Sequence, residues 1–272
     1  MTHEHIFCEK MKLTLYQIDA FTNHVFGGNP AAVCILDSWL DSQLMQQIAE
    51  ENNLAETAFV VQKNNVFELR WFTPETEVDL CGHATLATAY VLFNYHGVNE
   101  KTIDFHSPRS GALSVEQHSN GLMTLDFPTD QTAALRGISE INNAIGLTPI
   151  KTIKGKTDYL LIYNSQQEIE AIKPNFHLLD QLDCRGVIVS APGDQVDFVS
   201  RAFFPQCGIP EDPVTGSAHT TLTPYWSKVL GKTKLTARQL SKRGGDLLCE
   251  HLGDRVKISG TAVPYLIGEI EI

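Results

Sequence analysis

Residues 70–97, RWFTPETEVDLCGHATLATAYVLFNYHG, decide the fold, because the chain writes a version of them twice. Arg70-x-Phe72-x-Pro74 recurs as Arg201-x-Phe203-x-Pro205, 131 positions later. Gly82-x-Ala84 recurs as Gly216-x-Ala218 at an offset of 134, so the second copy carries three extra residues between its motifs. The same offset of 134 places Gly97 on Gly231, and Ser107-x-Arg109-x-Gly111-x-Leu113-x-x-Glu116 on Ser241-x-Arg243-x-Gly245-x-Leu247-x-x-Glu250. One such match arises by chance. Four in register indicate a duplicated unit.

Each copy has the same physical pattern. An apolar strand rich in β-branched and aromatic residues (67–73, then 197–204) ends near a proline. A loop and a glycine follow, then about four turns of helix closed by a second glycine, a common helix stop. The first helix, 83–96, is apolar nearly all round (Ala84, Leu86, Ala87, Ala89, Tyr90, Val91, Leu92, Phe93), which predicts burial on every side. The second, 217–230, is more mixed and contains Pro224, which is expected to kink or shorten it. The predicted fold class is α+β: two pseudo-repeated halves, each a mostly antiparallel sheet rolled around a central helix. No regular βαβ alternation of a doubly wound sheet is present. The two helix N-termini, related by an approximate two-fold axis, would then point into the cleft between the halves. Free backbone N–H groups and the helix dipole make such ends anion sites, so the expected ligand is a small organic anion.

The rest of the chain fits that plan. Strands are expected at 13–21 and 31–36, around the Phe26-Gly27-Gly28-Asn29-Pro30 turn, and an amphipathic helix at 39–52 with Asp41 near its start. Residues 54–61 switch to strand character, and a Lys63-Asn64-Asn65 turn leads into 67–73. Strands follow at 102–105, 111–116, 122–127, 160–163 and 187–190, short helices at 138–145 and 176–182, and two closing strands within 255–272. Residues 1–10 read as a disordered extension, with Met11 an alternative start. Residues 11–119 form the first half, which the last C-terminal strand can join, and 120–272 the second.

Composition narrows the function. No apolar run approaches the ~20 residues of a membrane span, and the N-terminus lacks the hydrophobic core of a signal peptide. Six scattered cysteines without a C-x-x-C pair suggest reduced thiols in a cytoplasmic protein. A net charge of −11 without a basic stripe argues against nucleic acid. There is no H-E-x-x-H, G-x-G-x-x-G, P-loop or G-x-S-x-G signature, and His3-x-His5 falls in the N-terminal extension, so neither metal nor cofactor is expected.

Glu56 is the residue most suited to chemistry. It stands where an apolar, β-branched strand begins, an awkward place for a charge unless the carboxylate faces a cleft. Desolvation there would favour its protonated form and suit a proton shuttle. The ordinary alternative is a solvated loop glutamate. Its counterpart in the second half falls near Arg185–Ile188, none of which is a carboxylate. His83, straight after Gly82, suits either a general acid or a helix-start packing role, and its counterpart Ser217 suits either ligand binding or capping. Asp212 lies in the stiff loop Pro210-Glu211-Asp212-Pro213 before the second helix. Cys81, at a helix N-terminus, is expected to have an acidified thiol. A racemase built on two thiols needs a partner, but Cys81 maps onto Thr215, or onto Pro213 with a two-residue shift. Asn29 suits turn chemistry.

The Gly-Asn-Pro turn, Asn53-Leu54-Ala55-Glu56-Thr57-Ala58-Phe59, Asp79-Leu80-Cys81-Gly82-His83-Ala84 and Glu211-Asp212-Pro213-Val214-Thr215-Gly216-Ser217-Ala218 together resemble the phenazine-biosynthesis isomerase (PhzF-like) family. The resemblance spans everything from Met11 onward. It implies the diaminopimelate-epimerase-like fold, a homodimer and a cofactor-independent isomerase. In the family's founding enzyme the substrate is trans-2,3-dihydro-3-hydroxyanthranilate, and a glutamate moves a proton between two ring carbons. By that resemblance Glu56 is general base and acid, with His83 and Asp212 assisting. Asn29, Gly82, Ala84, Gly216 and Ser217 hold the substrate. An epimerase or lyase acting on another small acid, and a non-catalytic binding protein, are the alternatives.

Overall fold

The computed structural model describes residues 11–64 and 66–272. The expected N-terminal extension, 1–10, and Asn65 of the expected turn lie outside the described residues. Along the chain run β1 (Lys12–Ala20), β2 (Asn29–Leu36), α1 (Ser42–Asn52), β3 (Glu56–Lys63), β4 (Val66–Phe72), β5 (Glu77–Val78), α2 (Gly82–Tyr95), β6 (Thr102–Ser107), β7 (Gly111–Gln117) and β8 (Met123–Pro128). Then come β9 (Ala133–Leu135), α3 (Ser139–Ile145), β10 (Lys151–Lys154), β11 (Asp158–Ile162), α4 (Gln166–Ala171), α5 (Phe176–Asp180), β12 (Gly186–Pro192) and β13 (Phe198–Phe203). The chain closes with α6 (Gly216–Leu230), β14 (Lys234–Gln239), β15 (Gly245–His251), β16 (Arg255–Gly260) and β17 (Ala262–Glu271).

The strand pairings repeat as the sequence motifs do. From β1 through β2, β3, β4, β6 and β7 to β8 the successive pairs are antiparallel, parallel, antiparallel, parallel, antiparallel and antiparallel. From β10 through β11, β12, β13, β14 and β15 to β16 the same sequence of senses recurs. β8 pairs antiparallel with β16, joining the two series into one continuous sheet, and β17 returns from the C-terminus to pair with β1. The two series thus repeat one order of pairing senses, the first ending in β8 and the second in β16.

Burial explains why many of these strands read as unbroken apolar runs. On β3, Ala58 and Val60 face the central core, while Phe59 and Val61 face a second cluster beneath α1. On β12, Ile188 faces the central core, and Val187, Val189 and Ala191 face a third cluster beneath α3, α4 and α5. Successive strand side chains point to opposite faces, so a sheet covered on both sides loses its polar alternation.

α2 is buried from Gly82 through Ala89 and again at Val91 and Leu92, as its all-round apolar surface predicts. α6 spans the expected stretch without the shortening expected at Pro224, and runs 15 residues to Gly231, an αL C-cap with φ 66°. Proline removes the N–H that would bond the Thr220 carbonyl one turn back. In its place the backbone N–H of Asp130 donates to Thr220 O at 3.3 Å, so the freed acceptor is satisfied from outside the helix.

The shared Arg-x-Phe motifs also acquire a physical role. Arg70 forks onto Glu77 at 2.7 and 2.8 Å and lies over the Phe72 ring. Arg201 forks onto Glu211 at 2.7 and 3.0 Å and lies over the Phe203 ring. Each bidentate pair ties a strand to the loop that leads into a central helix, and so fixes where that helix begins.

Candidate active site

α2 and α6 meet at their N-termini. A Cβ built on Gly82 would lie 3.4 Å from Gly216 Cα, and one built on Gly216 would lie 3.4 Å from Gly82 Cα. Neither helix is capped by its own N-cap side chain: Cys81 and Thr215 make no such bond. The first-turn N–H groups of both helices therefore lack the usual side-chain acceptor, at the floor of a cavity of about 820 Å³. Glu56, His83, Gly82, Asp212, Gly216 and Ser217 all line it. Six of the expected site residues thus come together from segments more than 150 positions apart.

Two do not line it. Asn29 is fully buried behind the wall. Its amide donates to Asp212 Oδ1 at 2.7 Å and to the Val214 carbonyl at 2.9 Å, which uses both amide hydrogens. It also touches His83 Nδ1 at 3.1 Å. Asn29 is the first residue of a strand, not of a turn, and it fastens the α6 approach loop of one half to the other half. Ala84 is likewise fully buried in the core. Ser217 is not a cap either, since Thr215 holds that position.

The register of β3 and β12 places Glu56 at the start of one strand and Gly186 at the start of the other. The pocket therefore has one such carboxylate, without a symmetric twin. Glu56 is 8 % exposed, and its Oε2 lies 2.9 Å from His83 Nε2. His83 is the partner of Oε2, at ion-pair distance, and no other polar group among the described residues contacts it.

His83 is enclosed, and its environment pulls two ways. Burial works against the imidazolium, while the charges of Cys81 and Glu56 and the hydrogen bonds to them favour it and win, holding His83 well above the usual imidazole range. Cys81 Sγ lies 3.4 Å from His83 Nδ1. Its thiol corrects the expectation of acidification: burial first, then the charge of Glu56, push it up to about 11, against the pull of His83 and the Ala84 N–H. Cys81 is thus a thiol near neutral pH.

Asp212 is pushed up to about 6, chiefly by burial and also by Glu56, while His83, Thr215 and Asn29 pull the other way. The Thr215 hydroxyl donates to its Oδ2 at 2.5 Å. Gln239 completes the support, accepting from the Thr215 N–H at 2.9 Å and donating to the Asp212 carbonyl at 2.8 Å. Glu56, Cys81 and His83 offer oxygen, sulfur and nitrogen atoms within 4.8 Å of one another, a donor set that would suit a borderline cation such as zinc.

Sequence reasoning passed over Arg185. Its Nε donates to Asp158 Oδ1 at 2.8 Å, its Nη2 to Asp158 Oδ2 and to Ser217 Oγ at 3.2 Å, and its guanidinium lies over the Phe204 ring. It lines the same cavity. Nothing in the local sequence marks it, because its partners come from three other elements.

This arrangement, two similar half-sheets with a polar cleft at paired helix N-termini, is the diaminopimelate-epimerase-like fold. The chain belongs to the PhzC-PhzF family of phenazine biosynthesis-like proteins, whose model matches residues 18–268. It is 48% identical to an uncharacterized isomerase of Pseudomonas aeruginosa, over 96% of this chain and all of that one. It is also 48% identical to a phenazine biosynthesis protein of the PhzF family from Enterococcus faecalis, whose crystal structure superposes with a TM-score of 0.93 over 96% of this chain and all of that one. The fold alone extends to a hydroxyproline epimerase of Agrobacterium vitis, at 8% identity and a TM-score of 0.65 over 96% of this chain and 93% of that one. Membership supports isomerase or epimerase activity. No helix among the described residues is long and apolar enough to cross a membrane.

Proposed function

We propose that the protein is a cofactor-independent isomerase in which Glu56 takes a proton from one carbon of a small carboxylate-bearing substrate and returns it to another. The observation that carries this is the state of Glu56 Oε2: buried, paired with His83 and with no other polar group among the described residues, and on the wall of the cleft. A buried carboxylate paired only with a histidine, on the wall of a cleft, is poised to take a proton from a carbon acid. The negative charge that develops as the proton leaves is met by the open N-termini of α2 and α6, donors that need no rearrangement. His83, 2.9 Å from Glu56 Oε2, steadies the carboxylate and can return a proton. Asp212 is a second proton-holding group on the opposite half. A two-base epimerase using Glu56 and Asp212 is the other reading, and the elevated Asp212 is what favours it.

The test is turnover of a panel containing dihydro-hydroxyanthranilate and small hydroxy and amino acids. Glu56→Gln should lower the rate by about 10²–10⁴-fold, the usual worth of a positioned general base. Unchanged turnover in that variant would remove Glu56 from the chemistry.

A further inference from the structure

The cleft is symmetric in backbone and asymmetric in charge. Where the first half places Glu56 and His83 around the N-terminus of α2, the second half places Gly186 and Ser217 around that of α6, with Arg185 alongside. Gly186 has no room to become anything larger, since a Cβ there would lie 2.1 Å from Phe204. The aromatic ring that fills this space is the one beneath the Arg185 guanidinium, 5.1 Å away. The second half has therefore exchanged a carboxylate for a cation on a rigid platform.

We infer that Arg185 is a further carboxylate-recognising residue, adding a guanidinium to the Ser217 and α6 N-terminal wall expected from the family, so that the substrate lies across the pseudo-dyad with its anionic end on the second half and its reactive C–H at Glu56. Only the last clause rests on the function proposed above. A guanidinium carries five N–H donors in a fixed fork. Asp158 and Ser217 engage Nε and Nη2, and Nη1 has no partner among the described residues. Because Ser217 Oγ accepts from Arg185, its own hydroxyl hydrogen remains free to donate to a ligand. A planar fork, a hydroxyl and open backbone N–H groups on one wall match a carboxylate, which accepts several hydrogen bonds at once. An arginine serving only to neutralise Asp158 would not require a place on the cavity wall.

The experiment is calorimetric titration with benzoate and, as its uncharged counterpart, benzamide. The proteins are the parent, Arg185→Met, and the double variant Arg185→Met/Asp158→Asn, which leaves no unpaired buried carboxylate. Benzoate affinity should fall about 10–100-fold in both variants, the range expected when a charged hydrogen-bond partner is lost, while benzamide is unaffected. Arg185→Lys, which keeps the charge but loses the fork, should fall between. The inference is overturned if benzoate binds parent and variants alike, if benzoate and benzamide weaken together, or if the parent does not prefer benzoate. Because no turnover is involved, the outcome is independent of whether Glu56 is the base.

Discussion

Gly82 and Gly216 stand back to back across the pseudo-twofold axis, each Cα 3.4 Å from where the other's Cβ would lie. A separation that short, between the first residues of two helices, lets two positive dipole ends share one cavity. It also sets a limit on side-chain size.

Alanine at either position meets ordinary contact distances, with Phe127 at 3.6 Å beyond Gly82, so Gly82→Ala should cost less than about 1 kcal/mol. The branched methyls of Gly82→Val would press on the opposing backbone and cost about 1–3 kcal/mol, with a larger loss of activity. Urea unfolding compares the two. Equal stability of the alanine and valine variants would show that the helix ends are not in contact.

The two raised groups make distinct pH signatures. Asp212 and His83 both hold their protons more tightly folded than unfolded. Their stabilising contributions are therefore complete below the ordinary values and are lost as pH rises through the folded ones. For Asp212 that window runs from 3.8 to about 6. For His83 it opens above 6.5. Asp212→Asn should flatten the fall in unfolding free energy across the first window and leave the second. His83→Gln should do the reverse. Identical pH profiles in parent and variants would exclude both assignments.

Cys81 separates this site from thiol-based epimerases. Its thiol is buried and pushed up to about 11, so it should resist aromatic disulfide reagents in the native protein and react only on unfolding. Cys81→Ala should retain activity within about an order of magnitude, since only a contact to His83 is lost. A collapse of activity as deep as that of Glu56→Gln would make sulfur, not carboxylate, the base.

What the sequence revealed followed from where the signal is local. α2 is buried on every side, so its apolar surface is visible in one window, and the motif offsets of 131 and 134 carry the duplication. Glu56 and His83 stood out as charged or polar residues amid apolar neighbours. β9, β10 and α4 were missed because they are short and of mixed composition. The shortening expected at Pro224 failed because the donor that satisfies the Thr220 carbonyl, Asp130, lies 90 positions from that carbonyl. Arg185 and the bridging role of Asn29 were illegible for the same reason: Asn29 reaches Asp212 across 183 positions, and Arg185 reaches Ser217 across 32. Cys81 was misjudged because a helix N-terminus lowers a thiol only where burial does not outweigh it.

The most direct measurement is hydrogen exchange with solvent at carbon. The protein and its Glu56→Gln variant are each incubated in deuterated water with the substrate panel, and products are read by NMR. Between its two steps the Glu56 carboxyl proton exchanges with solvent, so deuterium should appear at a single carbon position with the parent protein and at none with Glu56→Gln. Equal labelling by both proteins would contradict the assignment of Glu56 as the base.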